Sequence, residues 1–467
     1  MFDWGRAHCN LFPTDEVEAR MKAIQRTMAS AGKLAISTPP TRNRYVDLLR
    51  AFSILVVVYG HWLMAAPEVI DGEIRIGHAL TDIPWTRGLT WVLQVMPIFF
   101  FVGGYSNAFG LRAARRKGTE YSQWLRDRLR RLIVPVLPVL ALWGPGAWLA
   151  VTSGVDSELV RVGSQAALVP VWFLATYVVV VAMAPITLWM WEKMGLAAFF
   201  LFAAAAAAVD VAYIGYDIDL VRWLNYLFVW NAVHILGYAW ADGKIRGLPH
   251  RASIAIGGFA SLAALIVFGP YPVSMVGFAG ETITNSNPPK VTLVALAVFQ
   301  FGLAMLFEGP ARRWLDRIKV WTRVVAVNGS IMTIYLWHLT AMVAIVGILL
   351  LFGGFGLGLE VGTLGWWLTR PVWLAFMTLI LVPFMVAFGR FERPRADNRP
   401  APPVWKPLLG AVAVCTGLGM LASGGIADAD GLNVVALLLP LAGVVAGGVI
   451  GAGRWERKQE EKKTAIV

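Results

Sequence analysis

Three polar residues inside one apolar stretch, Asp47, Arg50 and His61 within Arg44–Ala66, are the first candidates for chemistry. A charged side chain well inside hydrocarbon costs at least a few kcal/mol on insertion scales, so its presence calls for a partner or a function. An imidazole there can accept and return a proton near neutral pH. Arg50 and His61 are eleven residues apart, which on a helix is about 1100° of rotation, about 20° off a common face, and a rise of ~16 Å. They share a face at two depths, with His61 the deeper. Asp47, three residues before Arg50, is placed for a neighbouring ion pair that lowers the cost of burying both. At ~21 Å of rise from His61, Asp47 cannot be its orienting carboxylate, so another span must supply that group. The same residues would also serve as snorkelling interfacial anchors and a hydrogen-bonded structural histidine.

Other candidates lie further along. The stretch 111–135 holds eight Lys or Arg. It can enforce topology or bind anionic lipid. Its second half, Arg126, Arg128, Arg130 and Arg131 leading into Pro135, also suits a polyanionic, nucleotide-bearing ligand, because guanidinium forks match phosphate oxygens. PIFFFVGGYSNAFG puts Gly103, Gly104, Ser106 and Asn107 in a second apolar span, allowing close helix approach or a narrow passage. His234 falls in a sixth span, and Tyr335 and His338 in a ninth; three intramembrane histidines in one bundle point to a polar cavity. A turn-rich segment with Glu281 and Asn285–Pro289 can line an acceptor entrance. The chain carries no Walker loop, dinucleotide glycine fingerprint, GxSxG elbow or metal-ligand spacing. No metal is expected.

These residues need a bundle to hold them. Of 467 residues, 57% are hydrophobic and 15% charged, and several apolar runs exceed the roughly 18 residues of a membrane span. The expected fold is all-α: a polytopic transmembrane bundle of about ten core helices plus two accessory helices near the C-terminus. Spans are expected near 45–66, 89–110, 132–151, 169–190, 196–214, 223–241, 252–269, 290–308, 324–351, 370–388, 407–425 and 432–452. The net charge of +12 sits between these runs instead of on one soluble face, which excludes a nucleic-acid reading. Most Lys and Arg fall on one side when the N-terminus is cytoplasmic, so both termini are expected in the cytoplasm of a cell inner (plasma) membrane protein.

The first 44 residues lack a signal-peptide core, so the first span is expected to be an uncleaved anchor. Thr14 is placed to cap an amphipathic surface helix carrying Val17, Met21, Ile24 and Met28. The catalytic-type spans occupy 45–392. A Pro- and Arg-rich linker at 393–406 marks a boundary, 407–453 reads as an accessory two-helix hairpin, and 454–467 is a charged tail. Cys9 and Cys415 suggest neither a disulfide framework nor a metal site.

Several motifs in order resemble membrane acyltransferase family three, the bacterial integral-membrane O-acyltransferases. They are Asp47-Leu48-Leu49-Arg50 with His61 after ten intervening residues; FFFVGGY at 99–105; Arg128 and Arg131 before Pro135; Trp172-Phe173-Leu174 with Tyr177 and Pro185; His234 to Gly237 with Asp242-Gly243; Asn287-Pro288-Pro289; and Tyr335-Leu336-Trp337-His338. Together they cover residues 44 to 390. The resemblance implies transfer of an acyl group, often acetyl, from cytoplasmic acyl-CoA to an acceptor hydroxyl, commonly across the membrane. It implies a catalytic pair, Arg50 and His61, and a basic donor site at Arg128 or Arg131, to which the basic stretch adds Arg126 as an expected donor-binding residue. Asp47, Trp172, Tyr335 and His338 are the expected substrate-binding residues, and the acceptor is a glycolipid, lipid-linked sugar or other carbohydrate. His61 is expected to act as general base or to form an acyl-imidazole; the residues leave both open. With no extracytoplasmic esterase-like domain, the chain is expected to act alone or to pass its product to an envelope-biosynthesis or export partner. A transporter or flippase, and a lipid-binding scaffold, are the competing readings; the internal repeats with broken helices that mark many transporters are not evident.

Overall fold

The computed structural model describes residues 28–70, 73–278, 280–354, 356–392, 399–428 and 431–450. The surface helix expected from Thr14 lies outside these residues except for Met28, where a short helix over 28–36 is seen. The charged tail and residues 393–398 of the linker also lie outside.

Helix α1, Arg44–Met64, starts where the Asn43 side chain accepts a hydrogen bond from the Tyr45 amide, a local N-cap. It ends where Ala65 turns extended and its amide donates to the His61 carbonyl. This places His61 in the last turn of the helix, near its far end, and not, as expected, deeper inside the bundle than Arg50. The chain then forms a hairpin absent from the all-α expectation: β1, Ala65–Ile70, pairs antiparallel with β2, Glu73–His78, with Ala65 opposite His78.

The other helices are α2 Thr86–Leu93, α3 Met96–Arg116, α4 Tyr121–Ile133, α5 Leu137–Thr152, α6 Ser157–Leu168, α7 Pro170–Met194, α8 Leu196–Asp210, α9 Asn225–Ala241, α10 Leu248–Phe268, α11 Val291–Leu315, α12 Ile318–Asn328, α13 Ile331–Leu351, α14 Leu364–Phe388, α15 Trp405–Gly424 and α16 Val434–Ala446. Prolines begin α3 and α7, where a missing amide costs nothing. Each expected span falls on helix, but 89–110 is broken at residues 94–95 between α2 and α3, and 324–351 at residues 329–330 between α12 and α13. Ten helical stretches among the described residues are long and apolar enough to cross a membrane, and the protein is a multi-pass membrane protein.

Helices α3 and α9 pack at the centre, flanked by α1, α7, α8 and α11, and α13 lies outside them against α1 and α7. A side chain on Gly104 would run into the His234 carbonyl, and one on Gly237 into the Phe101 carbonyl. The glycines of FFFVGGY therefore make a close helix crossing and not a passage. Gly237→Ala should destabilise the bundle by about 2 kcal/mol through overpacking, whereas Gly257→Ala, where a Cβ meets open space, should change little. Thermal unfolding of the two variants in one detergent compares them directly.

The α15–α16 pair is built into the bundle. It closes on itself through Gly410, Gly443 and Gly447, and α15 lies along α7. The Cys415 thiol donates to the Ala175 carbonyl at 3.2 Å, and the Ile426 amide to Ser164 at 3.0 Å.

Candidate active site

His61 meets a partner from α13. Its Nδ1 lies 2.8 Å from Nε2 of His338, and the rings are parallel within 6° with centroids 5.1 Å apart. That separation leaves only the two ring radii beyond the nitrogen contact, so the rings lie edge to edge in one plane. His338 Nδ1 is 2.6 Å from the Tyr335 carbonyl, which can only accept, so Nδ1 carries the proton. In a neutral pair, His338 Nε2 is then the acceptor and His61 Nδ1 the donor, which leaves the lone pair on His61 Nε2. The orienting group expected as a carboxylate is a second imidazole, itself oriented by a backbone carbonyl.

Neighbouring bonds hold this geometry. The Trp62 indole donates to the His338 carbonyl at 3.1 Å, tying α1 to α13, and Trp373 of α14 donates to the Trp62 carbonyl at 3.1 Å. The Tyr335 hydroxyl is used elsewhere, donating to Pro170 at the start of α7 at 2.8 Å. Tyr335 thus reaches the pair through its carbonyl and ring. Trp172 sits edge-on to Phe173 and Tyr226, beside a cavity of about 340 Å³ lined by Thr176, Trp223, Tyr226 and Cys415. Neither histidine lines that cavity. His234 stands apart from the other two histidines: it is fully buried and accepts from Asn107 at 3.1 Å, so the expected cavity of three histidines reduces to a pair.

At the other end of α1 the ion pairing differs from expectation. Asp47 is gripped by Arg42, with Nε at 2.7 Å and Nη2 at 3.1 Å, and Arg50 approaches it only to 3.9 Å. Arg50 instead turns toward Ser106 of α3, 3.4 Å away. Arg128 lies over the Trp124 ring at 5.4 Å, against Gly110, within electrostatic reach of Arg50, Arg131 and Tyr177. Among the described residues no carboxylate salt-bridges Arg128 or Arg131. Such a gathering of like charges is matched to a polyanion. Arg126, expected in the same set, is buried and its fork donates to the carbonyls of Arg399 and Pro400 at 3.0 and 2.8 Å. It clamps the linker. Arg112, from the first half of the basic stretch, is paired with Asp242 at 2.5 Å. Burial works against that carboxylate, yet Arg112 and Trp191 hold it below its usual range.

Sequence reasoning missed the cover over His61. Ala65 is one turn beyond His61 on the same face, and His78 is its partner in the hairpin. The His78 ring lies 6.3 Å from Phe278, and the Arg87 guanidinium stands 4.8 Å over the same phenyl ring. Glu281 follows three residues on, with one carboxylate oxygen buried and unbonded; burial raises its carboxyl above the usual range. Of these residues only Glu281 stands out in the sequence, because a loop's pairing is invisible in its own composition. Asn285 and Asn287 serve as loop ties: Asn285 bonds Pro272, Ser274 and Thr292, and Asn287 accepts from Tyr226.

A bundle of membrane-spanning helices with an imidazole pair near one end and an arginine cluster toward the other defines a multi-pass membrane protein. Residues 43–390 match the acyltransferase domain model of family three, and the chain belongs to this family: it is a membrane acyltransferase. No curated protein and no solved structure matches the chain.

Proposed function

We propose that this chain moves an acyl group, acetyl in the simplest case, from acyl-CoA bound at the basic end to a hydroxyl of a glycolipid, lipid-linked sugar or related carbohydrate acceptor arriving at the His61 mouth. The basic end faces the cytoplasm of the plasma membrane, as the charge distribution supports. The observation that carries the reading is the His61–His338 contact at 2.8 Å, which leaves His61 Nε2 as a base.

In this mechanism Arg128, Arg131 and Arg50 hold the CoA phosphates. Arg50 is ~16 Å from His61 along one helix, so it binds and does not react. The pantetheine arm, a chain of peptide-like reach, runs from there toward His61. His61 Nε2 takes the proton of the acceptor hydroxyl as its oxygen attacks the thioester carbonyl. The carbon–sulfur bond breaks, and the CoA thiolate recovers that proton from Nε2. His338 accepts from His61 Nδ1 throughout and stabilises the imidazolium, the part an orienting group plays in nucleophile–base–orienter sets. His78, Arg87, Phe278 and Glu281 border the acceptor's approach.

Purified protein in nanodiscs given labelled acetyl-CoA should bind the donor and release CoA. Absence of both donor binding and CoA release would overturn the reading. Mass spectrometry of envelope glycolipids with and without the gene should then show one class losing a single acyl mass.

A further inference from the structure

Helix α13 delivers His338, yet its own N-cap, Ser330, makes no side-chain capping bond. The missing cap comes from another segment. The Glu392 carboxylate accepts from the amides of Met332, at 3.1 Å, and Thr333, at 2.6 Å, and from the Thr333 hydroxyl. A carboxylate there satisfies orphan amides and complements the helix dipole. Glu392 lies two residues past the family match, at the end of α14's 3₁₀ extension Gly389–Glu392. The last residue of α14 grips α13 a second time: Trp337 stacks on Phe388 with centroids 4.0 Å apart and planes 13° from parallel.

We propose that Glu392 is a positioning residue that keeps His338 in register with His61. The inference rests on the reading of that histidine pair as the reacting centre. His338 is six residues after Met332, so less than two turns, ~9 Å, of helix connect the cap to the imidazole. Over so short a length a helix transmits a shift of its end with little loss. An in-plane imidazole contact is sensitive to such a shift, because hydrogen bonds weaken steeply off line, and misplacement of about 1 Å can cost catalysis ~10²-fold. Arg126 holds the next described stretch of the linker, at Arg399 and Pro400, so the segment following the matched region touches both the helix of His338 and that of the donor arginines.

The test uses the full chain in nanodiscs. Hydrogen exchange over residues 331–340 should quicken about tenfold in Glu392→Ala, and less in Glu392→Gln, with residues 44–60 unchanged. Exchange equal to wild type would overturn the capping role. CoA release from acetyl-CoA should fall about tenfold in Glu392→Ala with KM for acetyl-CoA held, and Glu392→Gln should recover part of it. In a His338→Ala background the Glu392 change should add nothing, since the two act through one group. An equal loss in both backgrounds would make Glu392 merely structural and overturn the proposal. No CoA release by wild type would instead defeat the acyl-transfer reading, while the exchange result still decides the cap.

Discussion

His61→Ala is expected to lower acyl transfer by ~10²- to 10⁴-fold, the usual range for a lost general base, with membrane abundance kept. The ring is half-buried and contacts α13 mainly through one nitrogen, so its removal leaves the surrounding helix packing in place. His338 gives the more discriminating pair. His338→Ala removes the acceptor for His61 Nδ1, whereas the side-chain oxygen of His338→Gln can still accept. Transfer should therefore follow wild type, then Gln, then Ala, and the double variant His61→Ala/His338→Ala should be no worse than His61→Ala alone. Initial rates of CoA release at saturating donor measure this series. Near wild-type rates for His61→Ala would remove His61 from the chemistry.

The second large effect separates arginines that lie two residues apart. Arg128→Ala and Arg131→Ala should each raise KM for acetyl-CoA by roughly ten- to a hundredfold, as loss of a charge-assisted bond worth about 1.5–3 kcal/mol requires. The effect should shrink in high salt, which screens the phosphates. Arg126→Ala should leave KM for donor near wild type and lower thermal stability instead, because its fork holds the Arg399 and Pro400 carbonyls. Steady-state kinetics beside melting curves read both. A KM rise in Arg126→Ala matching that of Arg128→Ala would restore it to the donor site.

The contrast between Arg126 and Arg128 also shows where sequence reading stops. Both belong to one basic run on one helix, and composition cannot distinguish them. Two residues are a rotation of about 200°, so one guanidinium points toward the linker and the other toward α3 and Tyr177. The same limit applied to Asp47: the sequence offered Arg50 as its neighbour on the helix, while Arg42, from the turn before it, makes the shorter fork.

What the sequence alone determined is the architecture and the helix that carries the candidate residues. Hydrophobic runs of membrane-spanning length force helices, since only a helix satisfies its own backbone inside hydrocarbon. Among the described residues, ten of the twelve expected spans coincide with helical stretches long and apolar enough to cross a membrane, the runs at 223–241 and 432–452 forming shorter helices. The cost of burying Arg50 and His61 marked α1, and helical spacing alone set their separation along it. What only the tertiary structure decided is the company they keep. His338 lies 277 residues from His61, the Glu392 cap 59 from Thr333, and the cover of His78 and Phe278 joins a hairpin to a distant loop. Local periodicity carries no information about which helix faces which. That choice is made by close contacts such as Gly104 on Gly237, where the absence of two side chains lets α3 and α9 meet and the other helices pack around them.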